Sequence, residues 1–221
     1  MKKLPVDALF FDFDGTLGDT KLGIYNAWHK TMAEIGIPSP TFATDFRVGP
    51  PLDQQVKIVY PDGDEKLWKR AADLYRYYYD TSDMEGEVPY PWSEGILKNV
   101  LARGKKVYVV TYKRFGSTVK LIERYGFEKY FSGVFTTDIY PGNSLSKSEL
   151  LKLALRVANV APERALMIGD TEMDILAAHE AGCLSCGVTW GYGAAEKLRS
   201  AKPDFLFDEN GFTDKYNTLF E

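Results

Sequence analysis

The stretch Val6-Asp-Ala-Leu-Phe-Phe-Asp-Phe-Asp-Gly-Thr-Leu17 decides how the rest of the chain is read. Ala8, Leu9, Phe10 and Phe11 are apolar without alternation, as in a parallel strand covered on both faces. The run closes on two acids, Asp12 and Asp14. Extended backbone turns alternate side chains to the same side, so both carboxylates face one way. Like charges at that range repel unless a cation or a shared proton lies between them. Mg2+ suits such a place, being a hard ion satisfied by oxygen ligands and water. Gly15 permits a sharp turn away from the strand. A strand end with an Asp-Gly turn explains Asp14-Gly15 but leaves Asp12 without a reason. An EF-hand is a poor fit, because the twelfth loop position is Gly23 rather than a glutamate.

Outward from this stretch, similar apolar runs recur at Lys106–Thr111, Gly133–Thr137, Ala165–Gly169, Leu184–Val188 and Phe205–Phe207. Amphipathic stretches of helical period separate several of them, at Glu94–Arg103, Gly116–Tyr125 and Ser148–Val157. Strands alternating with helices predict an α/β fold, a Rossmann-like doubly wound parallel sheet. The interval from Thr20 to Glu87 breaks the alternation. Ile24, Trp28, Met32 and Ile35 lie at helical spacing, and further helical patterns cover Leu52–Val59 and Asp64–Tyr79. The expected organisation is a core of residues 1–19 and 88–221 interrupted by an all-helical subdomain, 20–87. Tyr75, Tyr77, Tyr78 and Tyr79 cannot share one helix face, so packing and solvent contact are expected of them.

A second acidic group follows the Ala165–Gly169 run: Asp170-Thr-Glu-Met-Asp174. Asp170, directly after a buried strand, reads as a metal ligand. Thr171 and Asp174 have the spacing of a capping box, so Asp174 is open between helix cap and metal support. Thr111 closes another strand, where a hydroxyl and a neighbouring backbone N–H can hold a phosphoryl oxygen. Lys147 precedes a helix whose start carries the Ser146–Glu149 capping spacing, and Lys113 is the alternative cation. In open α/β sheets ligands bind outside the carboxyl ends of the strands, which is where Asp12, Asp14, Thr111 and Asp170 all fall.

These motifs, Asp12-x-Asp14-Gly15-Thr16 with Asp19-Thr20, then Thr111, Lys147 and Gly169-Asp170-x-x-x-Asp174, resemble in kind and order those of the haloacid dehalogenase-like (HAD) superfamily in its phosphatase branch. The Lys147–Asp170 spacing and the segment Gly187–Tyr192 are similar to phosphoglycolate phosphatase-like members. The resemblance implies a phosphomonoester hydrolase working through an aspartyl-phosphate on Asp12, with Asp14 as acid and then base. Thr111 and Lys147 would bind and neutralise the phosphoryl oxygens. Mg2+ would be held by Asp12, Asp170 and the backbone carbonyl of Asp14, with Asp174 in support. Gly15, Tyr112 and Arg47 are candidate substrate-binding positions; Tyr112 departs from the Asn or Ser usual in related phosphatases. The helical insertion would be the small cap of the family. Asp14 speaks against a dehalogenase, which lacks it. A nucleotidase, a pyrophosphatase, a sugar phosphomutase or a non-catalytic phosphate-binding module are the alternatives.

Composition bounds the rest. The 221 residues are 45% hydrophobic, which excludes a disordered chain, and 27 basic against 31 acidic residues give a net charge of −4. No overall basic field draws the protein to a nucleic acid polymer, and no apolar run approaches a membrane helix. The expected partner is a small phosphorylated metabolite, with no obligatory protein partner evident, and the expected location is cytoplasmic. The pair Cys183 and Cys186 runs into an apolar stretch and is read as packing rather than as a redox or metal motif.

Overall fold

The structure, a computed structural model, describes residues 6–38, 48, 52–138 and 145–208. Its backbone divides into two compact units, residues 1–19 with 89–221, and residues 20–88.

The first unit is built on six strands: β1 (Ala8–Phe11), β4 (Lys106–Thr111), β5 (Gly133–Thr136), β6 (Ala165–Gly169), β7 (Leu184–Val188) and β8 (Phe205–Phe207). Two-residue strands β2 (Gly18–Asp19) and β3 (Val88–Pro89) mark where the chain leaves this unit and returns to it. The six strands are parallel and lie in the order β5-β4-β1-β6-β7-β8. The α/β class and the doubly wound parallel sheet are as the sequence predicts. β1 sits in the interior of the sheet, and all four of its residues are buried. Ala8 and Phe10 join Tyr108, Val110, Phe135 and Met167 in a cluster completed by Leu150, Leu151, Ala154 and Leu155. Leu9 and Phe11, which alternate with them, are equally buried, so both faces of the strand are covered.

The helices of this unit are α4 (Ser93–Ala102), α5 (Phe115–Tyr125), α6 (Lys147–Ala158), α7 (Glu172–Ala181) and α8 (Ala195–Ser200). α6 begins with the expected capping box: Glu149 N donates to Ser146 Oγ at 3.2 Å, and Ser146 N donates to Glu149 Oε2 at 2.7 Å. The returning chain is tied to the outgoing one where Tyr90 N and Ser93 Oγ both donate to Leu17 O, at 3.1 and 2.8 Å. Cys183 and Cys186 are buried free thiols; burial pushes Cys183 up to about 12 and Cys186 higher still. They remain protonated packing groups at neutral pH.

The second unit is helical: α1 (Lys21–Ile35), α2 (Leu52–Val59) and α3 (Glu65–Asp80). Asp64 caps α3, its carboxylate accepting from Leu67 N at 2.7 Å. The tyrosines divide by helix face. Tyr75 packs on Trp28 at 4.6 Å and on Tyr79 at 5.8 Å, one turn away, whereas Tyr77 is 61% exposed. Buried Tyr79 also donates its hydroxyl to Glu87 at 3.0 Å.

Phe10 lies in the interior strand with no exposed surface, stacked on Tyr108 at a centroid distance of 5.0 Å. Phe10→Ala is expected to destabilise the core by roughly 3–5 kcal/mol, from lost transfer energy plus an unfilled cavity. Urea unfolding followed by circular dichroism checks this as a lower midpoint at unchanged slope.

Candidate active site

Strand register sets which residues can meet. Phe11 pairs with Val109 on one side and Ile168 on the other. The chain therefore reaches Asp12, Thr111 and Asp170 within about one residue of the same sheet edge. Asp12 continues the ladder for one more bond, its N–H donating to Ile168 O at 2.9 Å. Beyond it, Gly15 takes φ +77° and its N–H donates to Gly18 O at 2.9 Å, closing a tight turn.

Asp12, Asp170 and Asp174 are all buried, and each offers a carboxylate oxygen within 4.8 Å of the others. Lys147, the first residue of α6, reaches into this group. Its Nζ lies 2.8 Å from Asp12 Oδ1 and 3.0 Å from Asp174 Oδ1. These contacts are close enough for ion pairing, but neither oxygen receives a well-directed hydrogen bond, so both keep lone pairs for a further cation. Burial works to strip the proton from Lys147; Asp12 and then Asp174 outweigh it and hold the lysine charged, above its ordinary range. With all three carboxylates ionised, the one ammonium leaves two negative charges, which a divalent cation would balance. The donor set, oxygen atoms only, is that of a hard cation, so these residues fit one.

Asp170 is held with unusual tightness. Its Oδ2 accepts from the backbone N–H of Tyr192 at 2.6 Å and of Gly193 at 3.1 Å, and its Oδ1 from Thr16 Oγ1 at 3.2 Å. Glycine is required around it. A Cβ on Gly191 would stand 2.3 Å from Asp170 Oδ2, and one on Gly193 would stand 2.0 Å from Asp170 O. Burial, then the neighbouring Asp12 and Asp174, push the Asp170 carboxyl up to about 8. Asp174 combines the two readings that its spacing left open. Its Oδ2 accepts from Thr171 Oγ1 at 2.7 Å and Thr171 N at 3.1 Å, capping α7, while Oδ1 faces Lys147. Burial raises this carboxyl against the pull of Lys147.

Asp14 belongs to a second, neighbouring ion pair. Buried Lys113 places Nζ 3.1 Å from Asp14 Oδ1 and 3.4 Å from Oδ2. Sequence reasoning treated Lys113 and Lys147 as competitors for one role; the structure gives each its own carboxylate. Thr111, buried at the end of β4, accepts from Lys113 N at 3.2 Å, which leaves its hydroxyl hydrogen available to a ligand. Tyr112 turns its hydroxyl to Lys147, accepting from the backbone N–H at 2.7 Å. Arg47 lies outside the described residues. The backbone donors of Tyr192 and Gly193 were not foreseen. The Gly191-Tyr-Gly193 sequence was the only signal for them, and a glycine pair does not say which carboxylate it surrounds.

The family model described as haloacid dehalogenase-like hydrolase matches residues 9–188. A phosphoglycolate phosphatase of Neisseria gonorrhoeae is 31% identical over 85% of this chain and 82% of its own length. A 5'-nucleotidase of Pseudomonas aeruginosa is 29% identical over 88% of each chain. Among solved structures, a haloacid dehalogenase-like family hydrolase from Streptococcus pneumoniae superposes with a TM-score of 0.86 at 28% identity, covering 97% of this chain and 99% of that one. The chain belongs to the haloacid dehalogenase-like hydrolase family.

Any cation that this cluster holds has to compete with a proton on Asp170. With no cation bound, the folded chain holds a proton on Asp170 up to about pH 8, whereas the unfolded chain releases it near 4. Stability from this group is therefore full below pH 4 and is lost as pH rises toward 8. A divalent cation held there would take the proton's place, so its affinity is expected to rise over the same interval. Thermal midpoints measured in EDTA and in excess divalent cation are expected to lie progressively further apart from pH 5.5 to pH 8.

Proposed function

We propose that the chain is a Mg2+-dependent phosphomonoester hydrolase acting on a small phosphorylated metabolite, phosphoglycolate phosphatase-like, through an aspartyl-phosphate on Asp12. The observation that carries this reading is the meeting of Asp12, Asp170 and Asp174, with Lys147 paired to the first and last of them, at the carboxyl edge of a parallel sheet. A phosphoryl group brings negative oxygens that need neutralising and a phosphorus atom that needs one nucleophile in line with the leaving oxygen. Cations beside a carboxylate meet both needs.

In the first half-reaction an oxygen of Asp12 bonds to phosphorus as the bond to the leaving oxygen breaks. Asp14 passes its proton to that oxygen. In the second half Asp14 takes a proton from water, the water oxygen bonds to phosphorus, and the phosphorus–oxygen bond to Asp12 breaks, releasing inorganic phosphate. One carboxyl group thus serves as acid and then as base, and the protons balance over the cycle. Lys113, with its ammonium 3.1 Å from Asp14, holds that side chain in place through both halves. The Thr111 hydroxyl and the Lys147 ammonium hold the transferring oxygens, stabilising charge as it builds in the transition state. Asp12, Asp170 and the Asp14 backbone carbonyl, with Asp174 behind them, would hold Mg2+, which would supply further neutralisation of the phosphoryl charge.

The activities named for these relatives, phosphoglycolate phosphatase and 5'-nucleotidase, share this chemistry and differ in the leaving group. The nucleotidase likeness, at 29% identity over most of both chains, keeps nucleoside monophosphates as the second substrate class. Comparing kcat/KM for phosphoglycolate, nucleoside monophosphates, sugar phosphates and pyrophosphate separates the classes.

Purified protein is expected to release phosphate from p-nitrophenyl phosphate with Mg2+ and to stop in EDTA. Absence of metal-dependent release from that and from a phosphomonoester panel defeats the reading. Asp12→Asn is expected to lower kcat by roughly 10^4-fold or more, in keeping with loss of a nucleophile, with an unchanged circular dichroism spectrum. Asp14→Asn is expected to cost roughly 10^2–10^4-fold, the range for a general acid–base, and to cost less with p-nitrophenyl phosphate, whose leaving group needs little protonation.

A further inference from the structure

Lys147 faces a positional problem that its own helix does not solve. Its ammonium must stand between Asp12 at the end of β1 and Asp174 on α7, yet its backbone is the first residue of α6. The capping box at Ser146 and Glu149 fixes where the helix starts along the chain. Both of its bonds are local, so they say nothing about where that start lies relative to the sheet.

Leu150, Leu151 and Ala154 pack the body of α6 against the sheet, and Tyr112 adds a tie at its first residue, at both ends of the lysine. Its hydroxyl oxygen accepts the Lys147 backbone N–H at 2.7 Å, filling one of the donors that the first turn of a helix leaves unpaired. Its ring lies beside the Lys147 ammonium, with Nζ 5.3 Å from the centroid, in cation–π range. Tyr112 is itself anchored, being the residue after β4 and accepting from Thr137 Oγ1 through its backbone oxygen at 3.4 Å. A rigid side chain with two rotatable bonds thus connects the end of β4 to a lysine 35 positions later.

We infer that Tyr112 is a positioning residue that sets Lys147 in place for the phosphoryl group, rather than a group that binds substrate itself. The catalytic part of this statement rests on the reading given under Proposed function. The geometry explains why a large aromatic residue is useful at this position. A shorter polar side chain could meet a ligand there, but its reach would fall short of the α6 backbone, and it would offer no ring to the ammonium.

The test combines an amide measurement with a double-mutant cycle. In Tyr112→Phe the ring stays and the hydroxyl goes. Hydrogen exchange at the Lys147 amide, followed by NMR, is expected to quicken by about tenfold, the scale of one lost hydrogen bond. With Mg2+ and p-nitrophenyl phosphate, kcat/KM is expected to fall roughly five- to twentyfold, and inorganic phosphate to inhibit more weakly by a similar factor. In a Lys147→Met background the same Tyr112→Phe change is expected to alter neither quantity further. Tyr112→Asn, which loses ring and hydroxyl together, is expected to cost more than Tyr112→Phe in the native background.

An equal penalty from Tyr112→Phe with and without Lys147 overturns the inference, because the tyrosine would then act on substrate or on the fold as a whole. Unchanged exchange at the Lys147 amide overturns it as well, and decides the matter even if Lys147→Met does not fold. Wild-type protein that hydrolyses no phosphomonoester removes the proposed function instead. The amide measurement then still tests the tie between Tyr112 and Lys147, with faster exchange supporting it and unchanged exchange refuting it.

Discussion

Three buried aspartates clustered within 4.8 Å, two of them paired with one lysine, set the terms for this molecule. At an effective dielectric of about 20, two like charges about 5 Å apart repel by roughly 3 kcal/mol. Asp12, Asp170 and Asp174 have three such pairings, and burial makes each carboxylate harder to ionise. The fold tolerates this through Lys147, through the Tyr192 and Gly193 amides on Asp170, and through the Thr171 cap on Asp174. What remains is an excess of negative charge that a divalent cation or a proton can satisfy. A site with that property exchanges one for the other as pH changes.

The surrounding architecture follows from bringing these groups together. An interior parallel strand with both faces buried supplies a rigid base for Asp12. The register of its neighbours brings Thr111 and Asp170 to the same edge. The glycines around Asp170 leave out side chains that would displace it, and one at Gly15 carries the chain away in a left-handed turn. The lysines come from elements further along the chain, Lys113 from just beyond β4 and Lys147 from the start of α6. Lys113 is buried against Asp14 and Lys147 against Asp12 and Asp174, so the two cations pair with different carboxylates.

Much of this was legible in the residue order. The apolar run before Asp12, the short buried strands and the helical periods between them led to the parallel α/β sheet. The Ser146–Glu149 and Thr171–Asp174 spacings led to helix starts that the structure contains. Local patterns of this kind are readable because their physics spans only a few residues. Contacts over long separations were less so. Asp174 presented a choice between cap and cluster that has no meaning in three dimensions, since its two oxygens face different partners. Lys113 and Lys147 looked like rivals because a one-dimensional reading has no way to count the carboxylates near each. Nothing in the residue order near Tyr112 points to its hydroxyl meeting the Lys147 amide 35 positions later.

The sequence by itself determined the class of fold, the strand ends that carry acids, and the helix starts. Each depends on side-chain periodicity or on hydrogen bonds closed within one turn. Only the tertiary structure decided which cation meets which carboxylate, which amides hold Asp170, and what the Tyr112 hydroxyl reaches. Those pairings join residues as far as 135 positions apart, as between Asp12 and Lys147. Strand register and helix packing set their distances, and no local pattern encodes either.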